Sequence, residues 1–432
     1  MNELQDPRDY FPYIGHELSR KKIFRSPIWK AVVGDLFDRP NITDRGDEVR
    51  IFCPENRSVL KDVLVRGAAA QRKIASADRS VGVLVPRHRS LFDYNLGMPA
   101  HFMLVNDAVM LAAGSNLFVA HYASALRHFG AMMFLREDTE IKRWGRRKVF
   151  LGVHRYLEEV LPAYLKEQML DGVGEARKKH DLIIYAGQEK DPVTRQRRGG
   201  RSKSGKLRDQ SPIFFFTFRE ITRDHPTELY VTPVNVSFSK YPDAIFIVHP
   251  TKWKGIVESL RYIHEQNFTM SWYPNFTRRH TEARLDAVLN YGRPEPFRGE
   301  DFPAIRDVIE YTRKLKVKIG LLESVFPTTL LYRALDDRTD ASFGELSDRA
   351  KRLHDRYSEL GIYLAKVSDG SGNMLPVEEL VRRAVTTLNC NPAYRIYGLS
   401  TKRFLYAESG RLHSLDPELQ RWYANGLRHL DP

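Results

Sequence analysis

One short stretch constrains this chain more than any other. An apolar run over 81–85, closed by Pro86, leads directly into a histidine and an aspartate, His88 and Asp93. A β-branched run ended by proline reads as a buried strand. His88 then sits just past the carboxyl end of that strand, where open α/β sheets place their chemistry. A spacing of five turns two side chains well apart around a regular helix. The pair therefore meets only across a loop-to-helix corner, with Asp93 in the first helical turn pointing back at His88. An imidazole held by a carboxylate is a ready general base. Spacing alone equally allows a surface histidine and a helix-starting aspartate that never touch.

The run at 81–85 is one of several. Further strand-like segments at 182–185, 229–236 and 244–248 alternate with helix-like segments at 91–104, 148–169 and 213–223. Such alternation implies a mainly parallel central sheet wrapped by helices, an α/β fold. Before it, 59–74 looks like an amphipathic helix. After it, helices are expected from Asp301-Phe302-Pro303, over 340–365, over 376–388 and from Ser414-Leu415-Asp416-Pro417, with a turn at Gly370-Ser371-Gly372-Asn373. The expected division is an N-terminal helical region over 1–75, a catalytic domain over 76–330 and a C-terminal helical region over 331–432.

The chain has 432 residues, 42% hydrophobic and 28% charged, enough for a substantial core. Cys53 and Cys390 show no metal-type spacing, so a reducing compartment is the simplest setting. The start, MNELQDPRDYF, carries acids and a proline and is not expected to be a secretory signal. No run of about eighteen uninterrupted apolar residues occurs, so no transmembrane helix is expected. The nearest candidate, 108–126, is broken by Asn116 and His121. A formal net charge of +14 favours an anionic partner: nucleic acid, an acidic membrane face or a phosphorylated substrate. Much of the excess lies in two clusters, Lys142 to Lys148 around Trp144 and Arg195 to Arg208.

Three more segments stand out. Ala112-Ala113-Gly114-Ser115-Asn116-Leu117 leads to Gly130-Ala131-Met132-Met133-Phe134-Leu135-Arg136, an apolar run ending in a single cation. Arg136 reads either as an ordinary strand terminus or as a phosphate ligand at a sheet end. Gly199-Gly200-Arg201-Ser202-Lys203-Ser204-Gly205-Lys206 mixes glycines with cations, a composition that lets backbone N–H groups and side chains cradle an anion. It is nearly a nucleotide-binding P-loop. Leu207 stands where that loop needs Ser or Thr for magnesium, and the preceding residues are basic rather than an apolar strand. Val231-Thr232-Pro233-Val234-Asn235-Val236-Ser237 reads as a core strand.

The four segments occur in one order: HRSLFD, GAMMFLR, GGRSKSGK, VTPVNVSF. That order resembles the glycerolipid acyltransferases, and most closely the bacterial membrane-associated glycerol-3-phosphate acyltransferases. Their HRSHMDY is similar to His88 to Tyr94, their AAGxNL to Ala112 to Leu117, and their EGGRSRTGRL to Gly199 to Leu207. The likeness spans about 80 to 240. Two departures stand out. The family carries Glu immediately before the paired glycines, where this chain has Arg198; Glu189, at the end of DLIIYAGQE, is expected to replace it across an insertion over 190–198. The family's second motif commonly ends in two basic residues, whereas Arg136 is followed by Glu137.

The resemblance implies a glycerol-3-phosphate acyltransferase-like fold and acyl transfer from acyl-CoA or acyl-carrier protein to the sn-1 hydroxyl of glycerol 3-phosphate, giving lysophosphatidate. His88 and Asp93 are the implied catalytic pair. Arg136, Gly199, Gly200, Arg201, Ser202 and Lys203 would bind the phosphate, and Pro233 would line the acyl side. No metal is implied, and no cofactor beyond the acyl donor. The protein is expected on the cytoplasmic side of the inner membrane, held peripherally to an anionic surface, with the cations around Trp144 as one contact. Another acceptor, such as lysophosphatidate or dihydroxyacetone phosphate, is the alternative. A basic nucleic-acid-binding protein is a competing class, but it leaves H-x4-D after a strand unexplained, so no nucleic-acid partner is expected. A catalytically silent scaffold is a third; intact His88 and Asp93 argue against it.

Overall fold

The computed structural model describes residues 41–52, 60–90, 92–105, 108–114, 131–134, 156–171, 180–190, 197–199, 202–241, 244–249, 285–365, 375–389 and 405–431. In chain order the strands up to residue 297 are β1 (Asn41–Asp44), β2 (Glu48–Phe52), β3 (Leu60–Arg66), β4 (Ser80–Pro86), β5 (Ala108–Gly114), β6 (Ala131–Phe134), β7 (His180–Ile184), β8 (Gly187–Lys190), β9 (Arg197–Gly199), β10 (Asp209–Gln210), β11 (Glu228–Phe238), β12 (Leu285–Tyr291) and β13 (Glu295–Phe297). Ten of them form one mixed sheet in the order β1-β2-β3-β12-β11-β4-β7-β5-β6, with β13 on β11. The centre, β11-β4-β7-β5-β6, is parallel throughout. β8, β9 and β10 form a small sheet of their own. The protein is thus α/β, with a large sheet that is parallel where it is most buried.

β4 explains why. All seven of its residues are buried, which an apolar strand achieves only when both faces are covered. Val81, Val83 and Val85 enter one core, together with helix α3 (Ile213–Thr222) through Phe214, Phe215 and Phe218. Leu84 enters the other, with helix α2 (Phe92–Val105) through Leu96, Ala100 and Leu104. α2 contains Gly97 and Pro99, poor helix formers. Burial of Leu96, Ala100 and Leu104 at a spacing of four outweighs that handicap.

Several expectations differ from what is found. Residues 59–74 are not one helix: β3 is followed by helix α1 (Ala68–Ser76). The break falls at Gly67, whose φ of 78° is left-handed and where a Cβ would lie 2.3 Å from the Tyr291 carbonyl oxygen. The apolar positions fit a helical period only when two elements are read as one. Within 1–75, the described residues from 41 to 66 accordingly add three strands to the main sheet. The run at 244–248 is a short helix rather than a strand, because five apolar residues carry no distinguishing period. Helix α4 (Ile305–Leu321) starts two residues after Pro303; its N-cap is Ala304, whose N–H is accepted by Asp307 in the first turn at 2.8 Å.

The region after 331 is helical over Phe343–Glu359 and Val377–Asn389, and it also holds a three-stranded antiparallel sheet of Asp340–Ser342, Leu405–Glu408 and Arg411–Ser414. Its last helix, α5 (Pro417–Asn425), is capped by Asp416, which accepts the Leu419 N–H at 3.0 Å. Leu419, Trp422 and Tyr423 of α5 belong to the same buried cluster as Leu84 and α2. Among the described residues no helix is long and apolar enough to cross a membrane. The turn at 370–373 and the cations around Trp144 lie outside the described residues.

Candidate active site

β4 delivers His88 to the carboxyl edge of the parallel sheet. The Arg87 N–H donates to the Val234 carbonyl at 3.0 Å, prolonging the ladder with β11. The chain then turns sharply into α2, and Asp93 in the first turn organises the corner. One oxygen of Asp93, Oδ2, accepts the backbone N–H groups of Arg89 at 2.6 Å and Ser90 at 2.7 Å. The same oxygen lies 3.1 Å from His88 Nδ1. The two side chains that spacing left undecided do meet. With Asp93 ionised, Nδ1–H is the donor, and the lone pair stands on Nε2.

Burial pushes the Asp93 carboxyl above its ordinary range, and the bonds from His88, Ser90 and Arg89 oppose that shift. Asp93 is fully buried, whereas the His88 side chain keeps 12% exposure. The pair is therefore a sealed carboxylate behind a partly exposed imidazole. Tyr185, just after β7, packs its ring 4.6 Å from the His88 ring.

The glycine-rich segment closes on this corner. The Ser202 N–H donates to the His88 carbonyl at 3.1 Å. The Ser202 hydroxyl donates to the Lys206 carbonyl at 3.0 Å, and Lys206 N–H donates to Ser204 Oγ at 3.3 Å, so 202–206 forms a tight loop. Lys203 and Gly199 are exposed. Gly205, at φ 77°, has no room for a side chain, since a Cβ would lie 2.0 Å from the Trp422 carbonyl oxygen. The segment over 190–198 is flanked by the paired strands β8 and β9, in which Gln188 faces Gly199 and Glu189 faces Arg198. The Glu189 carboxylate accepts the Ser204 hydroxyl at 3.1 Å and lies 3.7 Å from Arg208 Nε. Glu189 thus contacts the loop through Ser204. Gly200, Arg201 and Arg136 lie outside the described residues.

Pro233 stands beside Val85 in β11. A central strand is unusual for proline, which cannot donate to the ladder. Here the neighbour on one side changes from β13, paired with 229–231, to β12, paired with 234–238. The missing N–H falls in that gap, and the Pro233 carbonyl there accepts Gly292 N–H at 2.8 Å. The ring touches Gly292, where a Cβ would come within 2.7 Å of it.

Behind His88 lies a buried charge cluster that sequence reasoning missed. Arg87 and Arg89 point away from the dyad onto Glu323, which follows α4. Arg87 Nη1 bonds Glu323 Oε2, and Arg89 Nη1 lies 3.4 Å from Oε1. Asn235 and Ser237 of β11 add donors at 3.2 and 3.4 Å. Burial works to raise the Glu323 carboxyl, but Arg87 and Arg89 overcome it and hold it below its ordinary range. Arg87 also donates to the Gly205 carbonyl at 3.0 Å and the Gly426 carbonyl at 3.2 Å. The Arg89 guanidinium lies 4.3 Å from the Tyr241 ring centre and 4.6 Å from that of Trp422. One signal was available: Asn235 and Ser237 put two polar side chains on one face of a valine-rich strand. Nothing near Glu323 in the sequence marks its partners.

Among the described residues no group of three or more His, Cys, Asp and Glu side chains is placed to hold a metal ion. No protein-family model matches the chain, and comparison with curated proteins finds no match.

Proposed function

We propose that the protein is an acyltransferase that moves a fatty acyl group from acyl-CoA or acyl-carrier protein to the sn-1 hydroxyl of glycerol 3-phosphate. The observation that carries this reading is the conjunction at His88: Nδ1 is held by Asp93, and the carbonyl of the same residue is bonded by the glycine-rich loop. A base and a cation-bearing loop then share one corner, as a phosphorylated alcohol requires.

In this reading His88 Nε2 takes the hydroxyl proton as the oxygen attacks the thioester carbonyl. The tetrahedral oxyanion collapses, the carbon–sulfur bond breaks, and the imidazolium returns the proton to the departing thiolate. Asp93 fixes the tautomer and stabilises the charged ring. The acceptor attacks directly, so no serine or cysteine nucleophile takes part. Lys203, with Arg201 and Arg136, would meet the phosphate; Gly199, Gly200 and Ser202 would shape the loop; Glu189 would hold the loop through Ser204. Pro233 would line the acyl side. A net charge of +14 suits peripheral binding to an anionic leaflet, which in this reading is the cytoplasmic face of the inner membrane.

The test offers purified wild type and His88→Ala long-chain acyl-CoA, then acyl-carrier protein, with glycerol 3-phosphate, dihydroxyacetone phosphate and lysophosphatidate in separate reactions. A single acylated product, lost in the variant, supports the mechanism and names the acceptor. Thioester hydrolysis alone, or equal transfer by the variant, rejects it.

A further inference from the structure

The helix farthest along the chain reaches the candidate site directly. Trp422 of α5 is almost completely buried. Its indole N–H donates to the Ser202 carbonyl at 3.0 Å, and the N–H of that same Ser202 donates to the His88 carbonyl. One turn on, Asn425 Nδ2 donates to the Ser204 carbonyl at 2.8 Å. The Trp422 carbonyl fills the space over Gly205, and the Trp422 ring carries the Arg89 guanidinium. Gly426 completes the fit, since a Cβ there would lie 2.5 Å from Arg89 Nη2. Two peptide carbonyls of the loop, those of Ser202 and Ser204, therefore have side-chain donors from α5, and the two residues flank the exposed Lys203.

We propose that Trp422, backed by Asn425, is a positioning residue that holds the glycine-rich loop in register with His88, so that acceptor binding depends on helix α5. Neither side chain is placed to touch the reacting atoms. Each instead fixes a backbone carbonyl, and the loop's N–H and lysine groups follow. Among the described residues, the bonds that remain without these donors are the Ser202 N–H to the His88 carbonyl, the Ser204 hydroxyl to Glu189 and Arg87 to the Gly205 carbonyl. The kinetic part of this inference rests on the acyltransfer reading above; the structural part does not.

The experiment pairs two measurements on the full chain. Trp422→Phe keeps an aromatic ring under Arg89 but removes the donor; Asn425→Ala is the second variant should the first fold poorly; Tyr357→Phe, a buried tyrosine away from the loop, is the control. Amide hydrogen exchange over 199–208 and acyl-transfer kinetics are followed in each. A carbonyl stripped of its buried donor loses roughly tenfold in local stability. The expected result is loop exchange faster by about tenfold in Trp422→Phe, an acceptor KM higher by a similar factor, and the donor KM and kcat within about threefold of wild type. The control changes neither. Unchanged loop exchange and acceptor KM in both α5 variants overturn the proposal, as does faster exchange spread evenly over the chain, which marks Trp422 as a core residue only. If wild type acylates no acceptor, the functional reading falls, and the exchange data still decide whether α5 clamps the loop.

Discussion

Helix α2 carries two histidine–carboxylate contacts, and they differ instructively. At its start Asp93 holds His88; two turns on, His101 Nε2 lies 2.8 Å from Asp181 Oδ2 of β7. Both carboxylates also accept backbone N–H groups, Asp181 from Gly82 at 2.6 Å. The chemistry is nearly the same; the surroundings are not. His101 is 1% exposed and packs towards Tyr291 inside the core, whereas His88 keeps 12% exposure at the end of a central strand. Among the described residues no loop bearing exposed cations is bonded to His101. Bond length therefore does not identify a candidate base. Position on the sheet and the loop bonded to the histidine's own backbone do.

The comparison breaks most readily by mutation. His88→Ala and Asp93→Asn each lower the proposed acyl transfer by on the order of 10²–10⁴. The urea midpoint falls less in His88→Ala, where Asp93 keeps its two backbone N–H donors, than in Asp93→Asn, which alters the buried anchor of the corner. Transfer assays and unfolding curves on the same preparations check this. His101→Leu reverses the pattern. It leaves Asp181 without a side-chain partner and costs about 3 kcal/mol, with activity per folded molecule near that of wild type. Equal activity losses in His88→Ala and His101→Leu would dissolve the distinction.

A third histidine sharpens it through pH. Among the described residues no carboxylate is hydrogen-bonded to His429; its Nε2 donates to the Gly320 carbonyl at 3.1 Å. Burial, reinforced by nearby Arg87, pushes its pKa down to about 4 from 6.5. Unfolded, the ring binds a proton near 6.5; folded, it resists until about 4. Its contribution to stability is therefore present above pH 6.5 and is lost as pH falls towards 4, by about 2 kcal/mol after allowance for partial solvation. Denaturant curves between pH 7 and pH 4 should fall less steeply in His429→Gln than in wild type. The smallest effect expected is at a buried neutral contact, Gln71 Nε2 to Thr232 Oγ1 at 3.3 Å. Gln71→Leu with Thr232→Val, replacing both partners, should change stability by less than about 1 kcal/mol.

The strand end and the corner were legible because each is local: an apolar run stopped by Pro86, then His88 and, five residues on, Asp93; spacing left open only whether the two meet. The loop's composition was legible too. Its docking was not, since the Ser202 N–H reaches His88 across more than a hundred residues of chain, and no spacing rule covers such a bond. Arg87 and Arg89 read only as motif filler beside His88; their shared partner, Glu323, lies more than 230 residues away. The helix read over 59–74 failed for a different reason. Positions 60, 63, 64, 68 and 74 satisfy a helical period by coincidence across the bend at Gly67. Local periodicity finds elements, but their joints and buried polar contacts depend on what the rest of the chain brings alongside.

The bond from Arg87 to the Gly426 carbonyl links residues 339 apart. During synthesis, both sequence motifs would leave the ribosome long before the helix that seats them. A polypeptide arrested near residue 400 would hold His88, Asp93 and the whole glycine loop yet lack the donors to Ser202 and Ser204. The same separation suggests a practical handle. A chain split in the interval before residue 405, with its two pieces expressed together, would report assembly of the halves through the recovery of a single site.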